Sequence, residues 1–302
     1  MTRSLLCRPV GGLNDILCEI ERCWRYAERF GRILVVDTLG SGLVDHFDRS
    51  FEPRSAEAPV LFHASADVIE RLAGLSVLPA VLGGRLRAYE TRWQGTECLD
   101  AASGVPLTFD FERDHDADLL VHQQSAGGLL SLDCLGRLRF REDVAKEIRR
   151  RLPIRPNGYA AIHVRNTDMR TNYRPLFRRL RRELAGKDVL IASDNASVIA
   201  FARTYFTAST IFTVSDIPDT GGARLHRNAA LDRPATNLDS FVDLLALAGA
   251  ETLHFERHER WNRWLGLLAK RPVSGFSQLA EGLQQRPDLV ESLLLHAPRA
   301  GG

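Results

Sequence analysis

The strongest constraint on the fold is an alternation of apolar segments and helical patterns that runs along the chain on both sides of a proline-rich segment. Near the start, Ser4 to Cys7 and Ile33 to Val36 are short, mostly apolar runs, and each predicts a buried strand. Between them, Leu13 to Phe30 repeats its apolar residues with the period of an amphipathic helix, and Gly31 is placed to end that helix. Apolar strands of this kind are typical of parallel sheets covered on both faces, so the region predicts a βαβ unit.

A linker is predicted at residues 153–158, where two prolines and one glycine fall within the segment Pro-Ile-Arg-Pro-Asn-Gly. Before it, the patterns predict one helix, one buried strand and a second, charged helix, at Asp67 to Leu72, Leu119 to His122 and Arg141 to Arg151. The charged helix is expected to close the first domain. We therefore expect one domain over residues 1–152 and a second over residues 153–302.

The second domain is predicted to continue the same alternation. Its strands are expected at Tyr159 to Val164, Val189 to Ala192, Ser209 to Val214 and Glu251 to Phe255. Its helices are expected at Pro175 to Leu184, Ala196 to Tyr205, Asn237 to Ala248 and His258 to Ala269, and in a tail from Gly275 to Leu295 that breaks at Pro287. Two such series predict an α/β fold with two Rossmann-like, doubly wound domains facing a cleft, into which the carboxyl ends of the strands point.

The composition excludes some classes of protein. The 302 residues carry a formal net charge of only +2, so bulk charge gives no indication of a nucleic-acid partner. The five cysteines lack metal-ligand spacing, so we expect no metal site and reduced, mostly buried thiols. The N-terminus lacks the pattern of a signal peptide and no segment is apolar over about 18 residues, so we expect no membrane span and a cytoplasmic protein.

The first candidate site is the segment Gly11-Gly12-Leu13-Asn14-Asp15, between the first predicted strand and helix. Gly11 and Gly12 would let a ligand approach the backbone, and the start of a helix offers free N–H groups to an anion such as a diphosphate. Asn14 is a further candidate for contact with a donor. A tight turn with no ligand explains the glycines equally well.

The second candidate site is the segment from His163 to Asp168, directly after a predicted buried strand. Arg165 can bind phosphate oxygens with its forked guanidinium and neutralise charge on a leaving group. His163 can form a hydrogen bond with a ribose or a phosphate. The alternative is structural, with His163 as a satisfied core histidine and Arg165 paired with Asp168.

The third candidate site, Ser193-Asp194-Asn195, follows the next predicted strand. Ser193 and Asp194 are candidates for contact with a donor nucleotide because they lie at a strand's carboxyl end. Capping of the following helix by Asp194 or Asn195 explains the segment equally well.

The fourth candidate is Asp243, in the otherwise apolar predicted helix Phe241 to Ala248. An unpaired buried carboxylate is costly, so this residue needs a partner. Either the amide edge of a ligand or an internal arginine would supply one.

In this order, the four segments resemble the motifs of the fucosyltransferase superfamily. That superfamily includes bacterial nodulation fucosyltransferases, eukaryotic α1,6-fucosyltransferases and protein O-fucosyltransferases. Other segments also resemble the bacterial members, namely residues 31–37, Gly40-Ser41, Phe47 to Phe51, His226 and residues 251–255. The resemblance covers roughly residues 4–55 and 158–270, and the region 56–150 matches no pattern of the family.

The resemblance implies a GT-B fold and transfer of fucose from GDP-fucose to a glycan hydroxyl, with inversion and without a metal or other cofactor. It implies an acceptor-binding first domain and a second domain that binds the nucleotide-sugar donor. Arg165 corresponds to the catalytic arginine that binds the donor's β-phosphate, and His163 to the histidine that contacts the nucleoside. Asn14 corresponds to an asparagine near the reacting sugar, and Asp243 to the aspartate that reads the guanine edge.

One segment departs from the family. Members carry small hydroxyl residues and an aromatic where this chain has Arg257 to Trp261. Trp261 can still stack on a base, whereas Glu259 leaves the donor sugar open. No general base carries over, and Asp15 and Asp168 are the carboxylates closest in sequence. The chain could therefore instead be a GT-B enzyme with a different nucleotide-sugar, or an inactive homologue that binds a nucleotide or a glycan.

Overall fold

The computed structural model describes residues 3–55, 58–167, 171–217, 232–262, 267–272 and 274–296. The chain divides into two compact units, Met1–Arg141 and Glu142–Gly302. The proline-rich segment predicts this division after residue 152. The difference is the helix Glu142–Arg151, which packs on later helices of the second unit and so belongs to it.

The first unit consists, within its described residues, of a central parallel sheet, two short antiparallel pairs and three α-helices. Its strands are β1 (Ser4–Cys7), β2 (Ile33–Val36), β3 (Phe51–Pro53), β4 (Val60–Leu61), β5 (Val77–Leu78), β6 (Thr91–Gln94), β7 (Glu97–Asp100), β8 (Leu119–His122) and β9 (Leu138–Phe140). Its helices are α1 (Leu13–Phe30), α2 (Ala66–Ala73) and α3 (Leu130–Arg137), with single 3-10 turns at Phe47–Arg49 and Ala80–Leu82.

The central sheet of the first unit has the strand order β4-β2-β1-β8-β5 and is parallel throughout. The chain runs outward from β1 through β2 to β4, and the later strands lie on the other side of β1. The order therefore reverses between β1 and β8, which makes this position the topological switch point. Cys7, the last residue of β1, pairs with Val36 on one side and His122 on the other.

Helix α1 begins and ends where its glycines predict. The Gly12 N–H donates to Asp15 Oδ2 at 3.1 Å, which closes the first turn. Gly31 adopts the left-handed conformation with φ of 62° and bonds back to the Ala27 carbonyl, as a helix C-cap requires. The apolar face of α1 is buried against α3 and the central sheet. The opposite face of the sheet contributes Leu6 to a buried cluster with α2.

The second unit begins with α4 (Glu142–Arg151). Its strands are β10 (Ala160–Val164), β11 (Asp188–Ser193), β12 (Thr210–Phe212), β13 (Thr252–Phe255), β14 (Arg257–Asn262) and β15 (Leu267–Pro272). Its further helices are α5 (Tyr173–Leu180), α6 (Ala196–Tyr205), α7 (Arg233–Ala248), α8 (Gly275–Gln284) and α9 (Pro287–Leu294). The break predicted at Pro287 is the start of α9. None of the helices in the described ranges is both long and apolar enough to cross a bilayer.

The parallel sheet of the second unit has the order β12-β11-β10-β13. As in the first unit, the chain moves outward from its first strand and then returns to the other side of it. The switch point therefore lies between β10 and β13. Ile162 and Ile191 of the two central strands are buried with Phe177 of α5 and Val198 of α6 in one apolar cluster.

The helix predicted at His258 to Ala269 is wrong. The segment forms β14 and β15, which pair antiparallel from Arg257 opposite Pro272 to Asn262 opposite Leu267. Periodicity alone distinguishes short helices from strands poorly, and here the cross-strand hydrogen bonds of a hairpin outweigh a helical pattern without strong caps. Residues 263–266, between the two strands, lie outside the described part.

Candidate functional site

The second unit places two of the predicted site segments at the carboxyl ends of its two central strands. His163 lies in β10, with Arg165 just beyond its end, and Ser193 ends the neighbouring strand β11. Val164 pairs directly with Ser193, so the two strands end at the same level. The polar residues that follow them therefore emerge together at the carboxyl edge of the sheet, beside the switch point.

His163 is held in one orientation by α8. Its Nδ1 lies 2.6 Å from Ser277 Oγ, and its ring packs on Phe276 with the centroids 5.2 Å apart. Only 8% of the residue is exposed. Burial, and secondarily the positive charge of Arg165, lowers the pKa of His163 to about 3, so the ring is neutral. A neutral imidazole has one donor nitrogen and one acceptor nitrogen, and Ser277 occupies Nδ1.

Arg165 lies in a loop that Asp194 holds in place. The Asp194 carboxylate accepts the Asn166 N–H at 2.6 Å through Oδ1 and the Thr167 hydroxyl at 2.5 Å through Oδ2. The Arg165 carbonyl accepts the Thr171 hydroxyl at 2.7 Å. Arg165 itself is half-buried. Asp168, the ion-pair partner considered in the sequence analysis, lies outside the described residues, as does His226.

The Ser193-Asp194-Asn195 segment caps the following helix through Asn195 and holds the Arg165 loop through Asp194. Asn195 is the N-cap of α6, because its Oδ1 accepts the Ser197 N–H at 3.0 Å. Its Nδ2 donates to the Asn166 carbonyl at 3.0 Å. Ser193 is buried, and its Oγ accepts the Asn195 N–H at 3.2 Å. Asp194 therefore supports the Arg165 loop rather than the helix, and its contact with a donor stays a prediction.

Asp243 has an internal partner that the sequence analysis missed. Ser215 Oγ lies 2.8 Å from each of its carboxylate oxygens. Arg151 does not pair with Asp243 but donates to Asp239 Oδ1 at 2.5 Å and to the Val214 carbonyl at 2.9 Å. Burial raises the pKa of Asp243 to about 7 despite the Ser215 hydrogen bond. Ser215 could have been found from the sequence by its position shortly after a predicted strand, because Ser193 was singled out on the same ground.

Trp261 lies in β14, opposite Leu268 of β15. The structure describes its backbone only, so its predicted stacking on a base stays a prediction. At the start of the same strand, the Arg257 guanidinium pairs with Glu281 of α8 and lies over the Phe255 ring, 4.5 Å from its centroid.

In the first unit, Gly11 is required by the backbone. Its φ is +106°, and a Cβ there would lie 2.6 Å from Asp15 Oδ2. The Gly42 N–H donates to the Gly11 carbonyl at 2.9 Å, and a Cβ on Gly42 would lie 2.7 Å from that oxygen. A Cβ on Gly12 would meet nothing nearer than 3.9 Å. The tight turn therefore explains why residue 11 is a glycine. Residue 12 has room for a side chain, so the turn does not explain why it is also a glycine.

Asn14 is buried beneath this turn, with 2% of the residue exposed. Its Oδ1 accepts the Ser131 hydroxyl at 2.7 Å. Its Nδ2 has no hydrogen-bond partner among the described residues. A Cβ on Gly127 would lie 3.8 Å from that nitrogen. Buried donors are rarely left unpaired, so Nδ2 is a point at which a ligand atom would be stabilised.

The fold is similar to that of solved structures over almost the whole chain. Fucosyltransferase NodZ from Bradyrhizobium has 18% sequence identity to the chain and a TM-score of 0.60, and the likeness covers 93% of each chain. The chain has the fold of the fucosyltransferase superfamily. NodZ α-1,6-fucosyltransferase soaked with GDP-fucose has 18% identity and a TM-score of 0.59, covering 94% of this chain and 93% of that one. POFUT1 in complex with GDP has 10% identity and a TM-score of 0.51, covering 94% and 96%.

This likeness and the two parallel sheets confirm the α/β fold predicted from the sequence, with two Rossmann-like units of the GT-B class. No protein-family model matches the chain, and no curated protein matches it by sequence. At these identities the likeness is one of fold, and most side chains differ. The roles of individual residues must therefore be argued from their own geometry.

Proposed function

We propose that the chain is a glycosyltransferase that moves fucose from GDP-fucose to a glycan hydroxyl, with inversion at the anomeric carbon and without a metal ion. The observation that carries the proposal is the likeness of fold, over at least 93% of the chain, to fucosyltransferase structures with GDP or soaked with GDP-fucose. Polar residues at the switch point of the second unit support it, because ligands of open α/β sheets bind there.

In this proposal, the nucleoside is recognised by His163 and Asp243. When His163 Nδ1 accepts the Ser277 proton, Nε2 carries a hydrogen that can be donated to a ribose hydroxyl or a phosphate oxygen. Asp243 accepts hydrogen bonds from the guanine edge, which carries N–H donors. Because its carboxylate is buried, such contacts are stronger than they would be in water.

The diphosphate is bound by Arg165, whose loop Asp194 holds in place. A guanidinium can form two parallel hydrogen bonds with phosphate oxygens and keeps its charge at any physiological pH. A loop fixed at two atoms before the donor arrives loses little conformational freedom when it binds. This preorganisation is what makes electrostatic stabilisation of a leaving group effective.

In the transfer step, the acceptor oxygen bonds to the anomeric carbon on the face opposite the diphosphate. The bond from that carbon to the β-phosphate oxygen breaks, and its electron pair leaves with GDP, where Arg165 stabilises the charge. The hydroxyl proton passes to a base or to solvent. Asp15 and Asp168 are the two carboxylates considered as this base. Asp15 already accepts the Gly12 N–H through Oδ2, and Asp168 lies outside the described residues, so the base is left unassigned.

A thermal-shift panel of GDP, UDP and ADP, followed by transfer assays with GDP-fucose and by NMR analysis of the product's anomeric configuration, tests the proposal. A ligand at 100 times its Kd stabilises the folded state by about 2.7 kcal/mol, so GDP alone should raise Tm clearly. Preferential binding of UDP or ADP would indicate another donor. GDP binding with neither hydrolysis nor transfer would indicate an inactive homologue. Loss of activity in EDTA, restored by Mg²⁺ or Mn²⁺, would contradict metal independence.

A further inference from the structure

The first unit contains a polar pocket of about 230 Å³ that none of the four motifs accounts for. Among its lining residues are Arg8, Asp37, Tyr89 and Gln123. The region that supplies Tyr89 and Gln123 lies within residues 56–150, where the sequence matches no pattern of the family. The pocket belongs wholly to this unit.

The sheet places three of these residues side by side. Arg8, Asp37 and Gln123 each follow the last residue of a strand, namely of β1, β2 and β8, and those last residues pair in register. The Asp37 N–H donates to the Cys7 carbonyl at 2.9 Å, and the Arg8 N–H donates to the His122 carbonyl at 2.8 Å. The three side chains therefore emerge at one level beside the switch point.

A hydrogen-bond network fixes the pocket before any ligand binds. Arg8 Nε donates to Asp37 Oδ2 at 2.9 Å, and Arg8 Nη1 donates to the Tyr89 hydroxyl at 3.0 Å and to the Leu86 carbonyl at 3.1 Å. The Tyr89 hydroxyl donates in turn to Gln123 Oε1. These bonds determine which atoms of each side chain are left for a ligand.

The atoms left over include both donors and acceptors. Arg8 Nη2 and Gln123 Nε2 make no hydrogen bond to another of the described residues, and both carry N–H groups. Asp37 accepts one hydrogen bond on each carboxylate oxygen, from Arg8 on Oδ2 and from the Leu39 N–H on Oδ1. Since each oxygen has two lone pairs, Asp37 can still accept hydrogen bonds.

The charge of the pocket does not favour an anion. The Arg8 guanidinium lies 2.9 Å from the Asp37 carboxylate, with side-chain exposures of 16% and 12%, so its charge is largely compensated. Arg87, which also lines the pocket, is paired with Glu70. A phosphate or carboxylate would meet Asp37 as a like charge. A neutral ligand with neighbouring hydroxyl groups would match donors and acceptors without that repulsion.

The size limits the ligand to a small group. Pockets for drug-sized molecules have volumes of about 300–1,000 Å³, so this one suits a single ring. We propose that it binds one neutral monosaccharide residue of the acceptor glycan. The inference rests on the proposed function and on the acceptor-binding first domain that the resemblance implies.

The test uses the full-length chain with GDP present, on an array of neutral oligosaccharides and of sulfated or uronate-containing oligosaccharides. The variants are Gln123→Ala and Tyr89→Phe, and Gln94→Ala on exposed β6 is the matched control. The wild-type chain should bind neutral oligosaccharides. Gln123→Ala should weaken that binding by about fivefold, as expected for one lost hydrogen bond. Tyr89→Phe should also weaken it, because it removes the hydroxyl that positions Arg8 and Gln123. Both variants should raise the acceptor KM. The control should match the wild-type chain.

The Kd for GDP, measured by calorimetry in each variant, separates this inference from the proposed function. We expect it to stay within about twofold of wild type, since the predicted nucleotide contacts lie elsewhere. Wild-type affinity for oligosaccharides in both pocket variants would overturn the inference. So would preference for the acidic oligosaccharides, binding of no oligosaccharide by the wild-type chain, or a raised KM for GDP-fucose rather than for the acceptor. A wild-type chain that binds neutral oligosaccharides but not GDP would instead overturn the proposed function.

Discussion

Ser215 Oγ lies 2.8 Å from both carboxylate oxygens of Asp243. A hydroxyl has one proton to donate, so it can fully satisfy only one of the two oxygens while the carboxyl is ionised. The raised pKa of Asp243, about 7, agrees with a carboxyl group that holds a proton in the free protein. The pair is therefore suited to lose that proton when a ligand brings new N–H donors.

The first prediction concerns stability and pH. Between pH 3.8 and about pH 7, folded Asp243 keeps a proton that the unfolded chain has lost, so this residue makes stability fall as pH rises through that range. In urea unfolding, Asp243→Asn should lose less stability than wild type on going from pH 5 to pH 8, by on the order of 3 kcal/mol. Equal pH dependence in both proteins would show that the carboxyl is not protonated in the fold.

The second prediction concerns GDP binding and follows from the proposed function. Guanine N–H groups need ionised Asp243, so affinity should rise with pH up to about pH 7. At pH 5.5, the Kd from calorimetry should be weaker than at pH 8 by about thirtyfold from this residue. Asp243→Asn is the control, because the GDP phosphates titrate in the same way whether GDP binds this variant or the wild-type chain. If its pH profile parallels that of wild type, Asp243 does not read the base.

The third prediction concerns Arg165. Arg165→Ala should lower kcat for transfer by about 10²–10³, the usual effect of removing one preorganised contact to developing charge. Arg165→Lys should recover part of the loss, because it restores charge but not the forked geometry. Arg150→Ala is the matched control, since Arg150 is exposed and, among the described residues, its side chain bonds to Glu147 on its own helix alone. Transfer by Arg165→Ala at near wild-type rate would rule out the proposed role.

The fourth prediction concerns Asp194 as a positioning residue. Asp194→Ala removes both hydrogen bonds to the loop at Asn166 and Thr167, so the Arg165 guanidinium should be less well ordered. We expect a smaller fall in kcat than for Arg165→Ala, together with a higher KM for GDP-fucose. In a double-mutant cycle, adding Asp194→Ala to Arg165→Ala should cost little more, because residues that act through one another are not additive. Fully additive losses would indicate a separate contact with the donor.

The fifth prediction concerns the turn before α1. Gly11→Ala introduces a Cβ at φ of +106° and 2.6 Å from Asp15 Oδ2, so it should destabilise the chain by about 1–3 kcal/mol. Gly12→Ala is the matched control, because its Cβ would meet nothing nearer than 3.9 Å. Thermal unfolding of the two variants measures the difference. Similar Tm values would mean that the turn tolerates side chains at both positions.

The sequence was most informative where the deciding contacts are local. Helix α1, with Gly31 as its C-cap, and the strands on either side of it follow from periodicity and turn residues alone. The hairpin of β14 and β15 was missed because its stability depends on pairing across two strands, and the helix predicted from His258 to Ala269 ran from one strand into the other.

The same limit applies to the site. His163 and Asp243 were found from their positions on predicted elements, but their partners were not. Ser277 lies 114 residues after His163 along the chain, and Ser215 precedes Asp243 by 28. Arg8 and Gln123 were not singled out, because nothing local shows that β1 and β8 are neighbours. Only the order of strands in the sheet brings such residues together.

The register of β1 has a consequence for how the first unit must fold. Cys7 and Arg8 are consecutive, yet the thiol is buried beside Cys23 of α1 while the guanidinium lines the pocket on the opposite face. If β1 paired one residue out of step with its neighbours, the thiol would enter the pocket and a charged group would be driven beneath the helix. In the proposed acceptor role, a misfolded chain of that kind would lose the pocket that binds a sugar, so recovery of glycan binding would report correct strand pairing during refolding.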